Sequence, residues 1–279
     1  MTGPEVVAHR GATAEAPEHT LAAYRRAAQL GADAVECDVR MTRDGVLVCV
    51  HDRQVATTSN GRGIVSALQL DELEQFHFGA RRRSSRSRWA DDEITAVNDE
   101  PDVESGLVLS LERLLDYITA SPGTVRLAIE TKHPTRHTRK VEEALVECLR
   151  RYGLLGNGRP VEYAGKPAVR MMSFSQLAVR RMAELAPAVP TVLLIGKRLR
   201  PVRREVLNGS ATAVGPSIGL LRADPDFVAD AHAAGKEVHV WTVNRPKDMD
   251  LARDLGVDTV ITDHPDEMLR RLGRNSAAS

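Results

Sequence analysis

His9 and Arg10 follow the apolar run Val6-Val7-Ala8 and precede Gly11, a residue that lets the chain turn sharply. An imidazole there can take or give a proton near neutral pH, and the fork of Arg10 suits a phosphate. A lone histidine is more often structural than catalytic, so His9 gains weight only from partners. His51, which closes the run Val46-Leu47-Val48-Cys49-Val50, is the natural second imidazole of an acid–base pair. The competing reading is a polar strand end, with Asp52 capping the loop behind it.

Glu36 and Asp38 flank Cys37, so on a strand the two acids share a face and the thiol points away. Turned inward, paired carboxylates repel and lose hydration unless a cation neutralises them. Hard oxygen ligands suit Mg²⁺ or Ca²⁺. A surface strand with ordinary charges is the alternative, and Ala34, Val35, Val39 and Met41 around the acids argue against it. Glu130 and Lys132 alternate in the same way after Leu127-Ala128-Ile129. They offer a third carboxylate and a point charge for a phosphoryl oxygen, or a plain strand-end ion pair. Trp241, in VHVWTVN, reads equally as a site wall or a core residue. Cys37, Cys49 and Cys148 show no nucleophile context, and His133 and His137 read as exposed loop residues. There is no Gly-rich nucleotide loop and no CxxC pair. Together the clusters suit a phosphodiester: a cation against phosphoryl charge, donors for its oxygens and an acid–base pair.

Such a constellation needs strand ends brought to one rim. Strands are predicted at 6–9, 34–39, 46–51, 125–131, 169–174, 191–195, 238–243 and 259–262. A ninth candidate, 211–216, is short, ends in Gly-Pro and reads as a loop or irregular unit. Helices are predicted at 20–30, 111–120, 139–152, 176–185, 225–234, 247–255 and 265–272. Strand–helix alternation predicts a parallel sheet covered on both faces. At 279 residues the chain fits one α/β (β/α)8 TIM barrel, which needs about 250, spanning 1–279 as a single domain. Too few residues separate 38 from 51 for a crossover helix, so the second strand is expected to return to the barrel bottom without one. The stretch 78–106, basic then acidic and without periodicity, is an insertion after the third strand. Its charge runs favour a solvated surface segment over a lid on the site.

The balance of 38 basic and 38 acidic residues argues against a nucleic-acid binder. Three cysteines fit a reducing compartment better than a disulfide scaffold. No apolar run is long enough to span a bilayer, and the N-terminal MTGPEVVAHRG lacks a signal-peptide pattern. A cytoplasmic protein without stable membrane insertion is expected; the oligomeric state is left open.

The ordered motifs resemble the glycerophosphodiester phosphodiesterases, of the phospholipase C-like phosphodiesterase barrels. They are His9-Arg10-Gly11 with Pro17-Glu18, Glu36-x-Asp38, Arg43-Asp44-Gly45, His51-Asp52, Glu130-x-Lys132, Ser173-Phe174, Trp241-Thr242-Val243-Asn244 and Ile261-Thr262-Asp263-His264-Pro265. The resemblance implies that Glu36, Asp38 and Glu130 hold a divalent metal and that His9 and His51 are the acid–base pair. It also implies that Arg10 and Lys132 hold the phosphate while Trp241 lines the substrate pocket. The implied substrate is a small glycerophosphodiester, cleaved to an alcohol and sn-glycerol 3-phosphate. A lysophospholipase D-type reaction on lipids and a noncatalytic phosphodiester-binding module are the alternatives. The chain departs from the family at His19, where an asparagine is usual. A role at the helix start is favoured there over an imidazole reaching the site. The helix after the insertion starts at Leu109-Ser110-Leu111-Glu112, where Ser110 can still cap.

Overall fold

In the computed structural model, residues 3–79, 106–120, 125–196 and 203–274 are described. Eight parallel strands close a ring. In chain order the strands are β1 (Glu5–Ala8), β2 (Ala34–Met41), β3 (Leu47–Cys49), β4 (Arg126–Thr131), β5 (Val169–Ser173), β6 (Thr191–Ile195), β7 (Ala213–Pro216), β8 (Glu237–Val240) and β9 (Thr259–Thr262). The ring runs β1-β9-β8-β7-β6-β5-β4-β2 and closes by a β1–β2 pairing; β3 lies outside it, antiparallel to β2. The expected TIM barrel is therefore present.

Two staves differ from the sequence reading. The run 46–51 is buried on both faces, which mimics a barrel strand, but a turn through Gly45 (φ 92°) reverses the chain at once. No helix intervenes, as expected, yet the chain folds back along β2 instead of descending to the bottom. The eighth stave is β7, which the Gly-Pro ending had disguised. Gly215 is there because a Cβ would come within 2.6 Å of Leu194 on β6. Most of the predicted insertion, and with it the choice between lid and surface segment, lies outside the described residues.

The helices α1 (Leu21–Gln29), α2 (Leu111–Ala120), α3 (Lys140–Arg151), α4 (Gln176–Leu185), α5 (Arg203–Asn208), α6 (Ile218–Ala223), α7 (Phe227–Ala233), α8 (Pro246–Asp254) and α9 (Pro265–Arg271) follow the strands. In α1 the side chain of Thr20 accepts the Ala23 N–H at 3.2 Å, and Leu21, Ala23, Tyr24 and Ala27 form the buried face. Ser110 accepts the Arg113 N–H and caps α2 as the sequence suggests.

Strand alternation layers the barrel interior. At the bottom Glu5 pairs with Arg126 at 3.0 Å and with Arg170. Above it Val7, Ala34, Ala128, Met172, Val192, Leu194, Ala213 and Ile261 form an apolar layer. The next inward positions open on the C-terminal rim. The β2–β4 register sets Asp38 directly beside Glu130.

Candidate active site

The rim assembles all eight residues singled out in the sequence. Glu36, Asp38 and Glu130 are buried, and each offers an oxygen such that the three atoms lie within 4.8 Å of one another. Asp38 Oδ1 is buried and paired with Lys132 Nζ at 2.8 Å. Lys132 also meets Glu130 Oε1 at 2.7 Å. Burial, followed by the charge of Asp38, holds the Glu36 carboxyl well above its usual range and pushes Glu130 up to about 7. Asp38 goes the other way. Burial opposes its ionisation, but the His19 hydrogen bond and the charges of Lys132 and Arg10 outweigh it and hold the group well below the ordinary range. Three buried carboxylates crowded this closely, with a single ammonium between two of them, fit a hard divalent cation.

Arg10 sits at φ 58° beside Gly11 at φ 93°, so the chain turns sharply off β1. The Arg10 amide donates to Glu36 Oε2 at 3.0 Å. Its guanidinium reaches Glu18, and Nε lies 3.0 Å from Asp38 Oδ2. The two catalytic candidates are held alike. His9 Nδ1 bonds Asp263 Oδ1 at 2.7 Å, and His51 Nδ1 bonds Asp52 Oδ1 at 2.9 Å, which leaves Nε2 of each ring for the reaction. Burial lowers the pKa of His51. The hairpin to β3 explains how His51 arrives: β2 overhangs its neighbours and the return strand brings His51 back to the rim. There Arg40 donates twice to its carbonyl, at 2.9 and 2.7 Å.

A cavity of about 110 Å³ is lined by both histidines, Arg10, Glu36, Glu130 and Lys132, with Phe174, Trp241 and apolar-layer residues as the opposite wall. Trp241 Nε1 donates to the Gly215 carbonyl at 2.6 Å, and its ring meets Phe174 edge-on with centroids 5.2 Å apart. Trp241 is thus at the rim and not in the core.

Sequence reasoning missed three partners. Asp263 holds His9, and Asn244 donates to Asp263 through its amide while its oxygen accepts the Asp263 N–H at 2.9 Å. Both lie in motifs quoted above; polar residues at the ends of the last two strands were the available signal. The third is His19. Thr20, not His19, caps α1, and the His19 side chain turns inward, bonding Tyr24 Oη at 2.8 Å and Asp38 Oδ2 at 3.0 Å. Burial lowers its pKa, so a neutral ring that accepts from Tyr24 and donates through Nε2 satisfies both bonds. The helix-start reading is corrected accordingly. His133 and His137 are half-buried, not exposed, because His133 Nε2 bonds the buried Glu142 at 2.7 Å.

The chain matches the Glycerophosphoryl diester phosphodiesterase family over residues 9–267. It belongs to this family. It is 42% identical over 265 residues to Probable glycerophosphodiester phosphodiesterase 1 of Mycobacterium tuberculosis, covering 94% of this chain and 90% of that one. To the glycerophosphodiester phosphodiesterase of Bacillus subtilis it is 30% identical over 264 residues, covering 93% and 83%. A solved structure from Silicibacter pomeroyi DSS-3, assigned to the same enzyme class, superposes with a TM-score of 0.81 at 25% identity, covering 97% and 93%. An Oleispira antarctica phosphodiesterase in complex with the product sn-glycerol-3-phosphate shares the fold, with a TM-score of 0.77, 24% identity and 97% coverage of each chain. Membership in the glycerophosphoryl diester phosphodiesterase family makes the chain a phosphodiesterase. Among the described residues no helix is long and apolar enough to cross a membrane.

Proposed function

We propose that the whole chain acts as one metal-dependent catalytic domain that hydrolyses small glycerophosphodiesters to an alcohol and sn-glycerol 3-phosphate. The convergence of three buried carboxylates beneath a cavity lined by two tethered imidazoles carries this reading. Glu36, Asp38 and Glu130 would hold Mg²⁺ or Ca²⁺, which when bound supplies positive charge against the phosphoryl oxygens. Arg10 and Lys132 add donors for those oxygens, and Trp241 with Phe174 packs the apolar flank of the substrate. His9 Nε2 takes the proton from the substrate hydroxyl next to the phosphate, and that oxygen attacks phosphorus. The bond from phosphorus to the alcohol breaks, and His51 Nε2 gives the departing oxygen its proton. Water then opens the cyclic phosphate with the two imidazoles in exchanged roles. The attacking hydroxyl is already beside phosphorus, which removes most of the entropic cost. Three buried free thiols suit action in the cytoplasm.

A panel of glycerophosphodiesters with titrated Mg²⁺ or Ca²⁺, read by release of glycerol 3-phosphate, tests the reading. Turnover that chelation abolishes is expected, as is loss of most of kcat in His9→Ala and His51→Ala, on the order of 10²-fold or more. Robust turnover by His9→Ala would sink its role. Acylated substrates in the same panel separate the lipid-directed alternative, and binding with metal but no turnover would mark a noncatalytic module.

A further inference from the structure

A second pocket, of about 140 Å³, opens beside the catalytic cavity and shares Lys132 with it. Its other polar walls are Arg40, Arg53, Arg136, Ser66 and Thr135, and no carboxylate lines it among the described residues. The strands explain the placement. Arg40 follows Glu36 and Asp38 on the inward face of β2, as Lys132 follows Glu130 on β4. The backbone of each therefore stands one inward position, roughly 7 Å, above the carboxylates, and the Lys132 side chain reaches back down to Asp38 and Glu130. Hydrogen bonds hold the Arg40 side chain and the backbone that carries the other two arginines. Arg40 spends Nε and Nη2 on the His51 carbonyl. The Arg53 carbonyl accepts the Val65 N–H at 3.1 Å. The loop carrying Arg136 is pinned through His133 to buried Glu142. Arg53 and Arg136 are exposed.

Lys132 is already paired with Asp38 and Glu130, but Arg40, Arg53 and Arg136 bring three guanidinium charges round one hollow, and the guanidinium fork matches phosphate oxygens. The catalytic cavity itself is small, so the alcohol half of a diester must extend out of it. We propose that this pocket receives a second phosphoryl group carried on the leaving alcohol, so that the enzyme selects diesters whose alcohol half is itself phosphorylated. The proposal rests on the phosphodiesterase reading above.

The test compares glycerophosphoglycerol with the same diester phosphorylated on its leaving glycerol, both with Mg²⁺ or Ca²⁺, followed by phosphorus NMR of the diester. The wild-type protein should show a higher kcat/KM for the phosphorylated diester by roughly tenfold, the worth of one charge-assisted hydrogen bond. Arg53→Ala combined with Arg136→Ala should remove that preference and leave glycerophosphoglycerol turnover within about twofold. Equal losses on both diesters, or no preference in the wild type, would overturn the proposal. If neither diester is cleaved, the catalytic reading fails separately. Calorimetry of glycerol 1,3-bisphosphate against glycerol 3-phosphate then decides the pocket. Tighter bisphosphate binding that the double variant loses supports it, and equal binding overturns it.

Discussion

His9 and His51 differ less in themselves than in what holds them. His9 is tied through Asp263 to Asn244, three residues from three chain segments, whereas His51 leans on its own neighbour Asp52. Asp263 keeps its charge, because the His9 and Asn244 contacts outweigh its burial. It fixes the His9 ring so that Nε2 is the working nitrogen. Asp263→Asn is expected to lower kcat by about 10- to 100-fold, less than His9→Ala, with KM little changed and the pH profile shifted. Steady-state kinetics across pH checks this, and an unchanged profile would reduce Asp263 to packing. At this scale the sequence was generous. Alternation along two strands was enough to bring Glu36, Asp38, Glu130 and Lys132 together, since it is a local property. The Asp263 bond to His9 joins positions 254 residues apart and could only be seen once the ring had closed. His19 was misjudged for a related reason: the backbone at φ 58° turns its ring inward, and no spacing rule announces that.

The elements that deliver these side chains were mostly legible because period and punctuation agreed. Gln176–Leu185 and Leu111–Ala120 fall where the apolar spacing put them. Strand direction is the property that periodicity does not carry. A short apolar run buried on both sides looks the same whether it runs with its neighbour or against it, so sequence pattern alone counts β3 as a stave and passes over β7. Two glycines at nearly the same φ separate backbone freedom from close approach. Gly11 (φ 93°) has no room, since a Cβ would stand 2.6 Å from the Ala23 Cβ, whereas Gly45 (φ 92°) faces open space. Gly45→Ala should cost about 1 kcal/mol of stability from backbone strain alone. Gly11→Ala should cost more and should also depress kcat, because α1 and the His9–Arg10 turn are pushed apart. Urea unfolding of the two variants side by side reads the difference, and equal costs would mean that α1 yields freely.

Across the whole molecule the barrel divides its labour along its axis, with ion pairs below, apolar packing between and chemistry at the rim. His239 belongs to the lower end. It is fully buried, its Nδ1 has no partner, and burial lowers its pKa despite the Glu237 contact. Between that lowered value and the ordinary 6.5, the unfolded chain binds a proton that the folded chain refuses. This contribution to stability is therefore whole above about 6.5 and drains as the pH falls toward the folded value. His51 and His19 act in the same direction. Glu36 and Glu130, held above their usual range, act in the opposite direction, so the His239 share is read by difference: in thermal melts at descending pH the wild type should lose more Tm than His239→Gln, and parallel losses would exclude His239 as a source. The β1–β9 seam has a further consequence in time. Its last-made strand completes the ring, and the residue just beyond that strand grips the first histidine of the chain. A nascent chain still lacking β9 would hold every carboxylate and both imidazoles and yet be inert. On refolding, hydrolysis should return only with the slowest, most non-local pairing, well after helical signal has recovered.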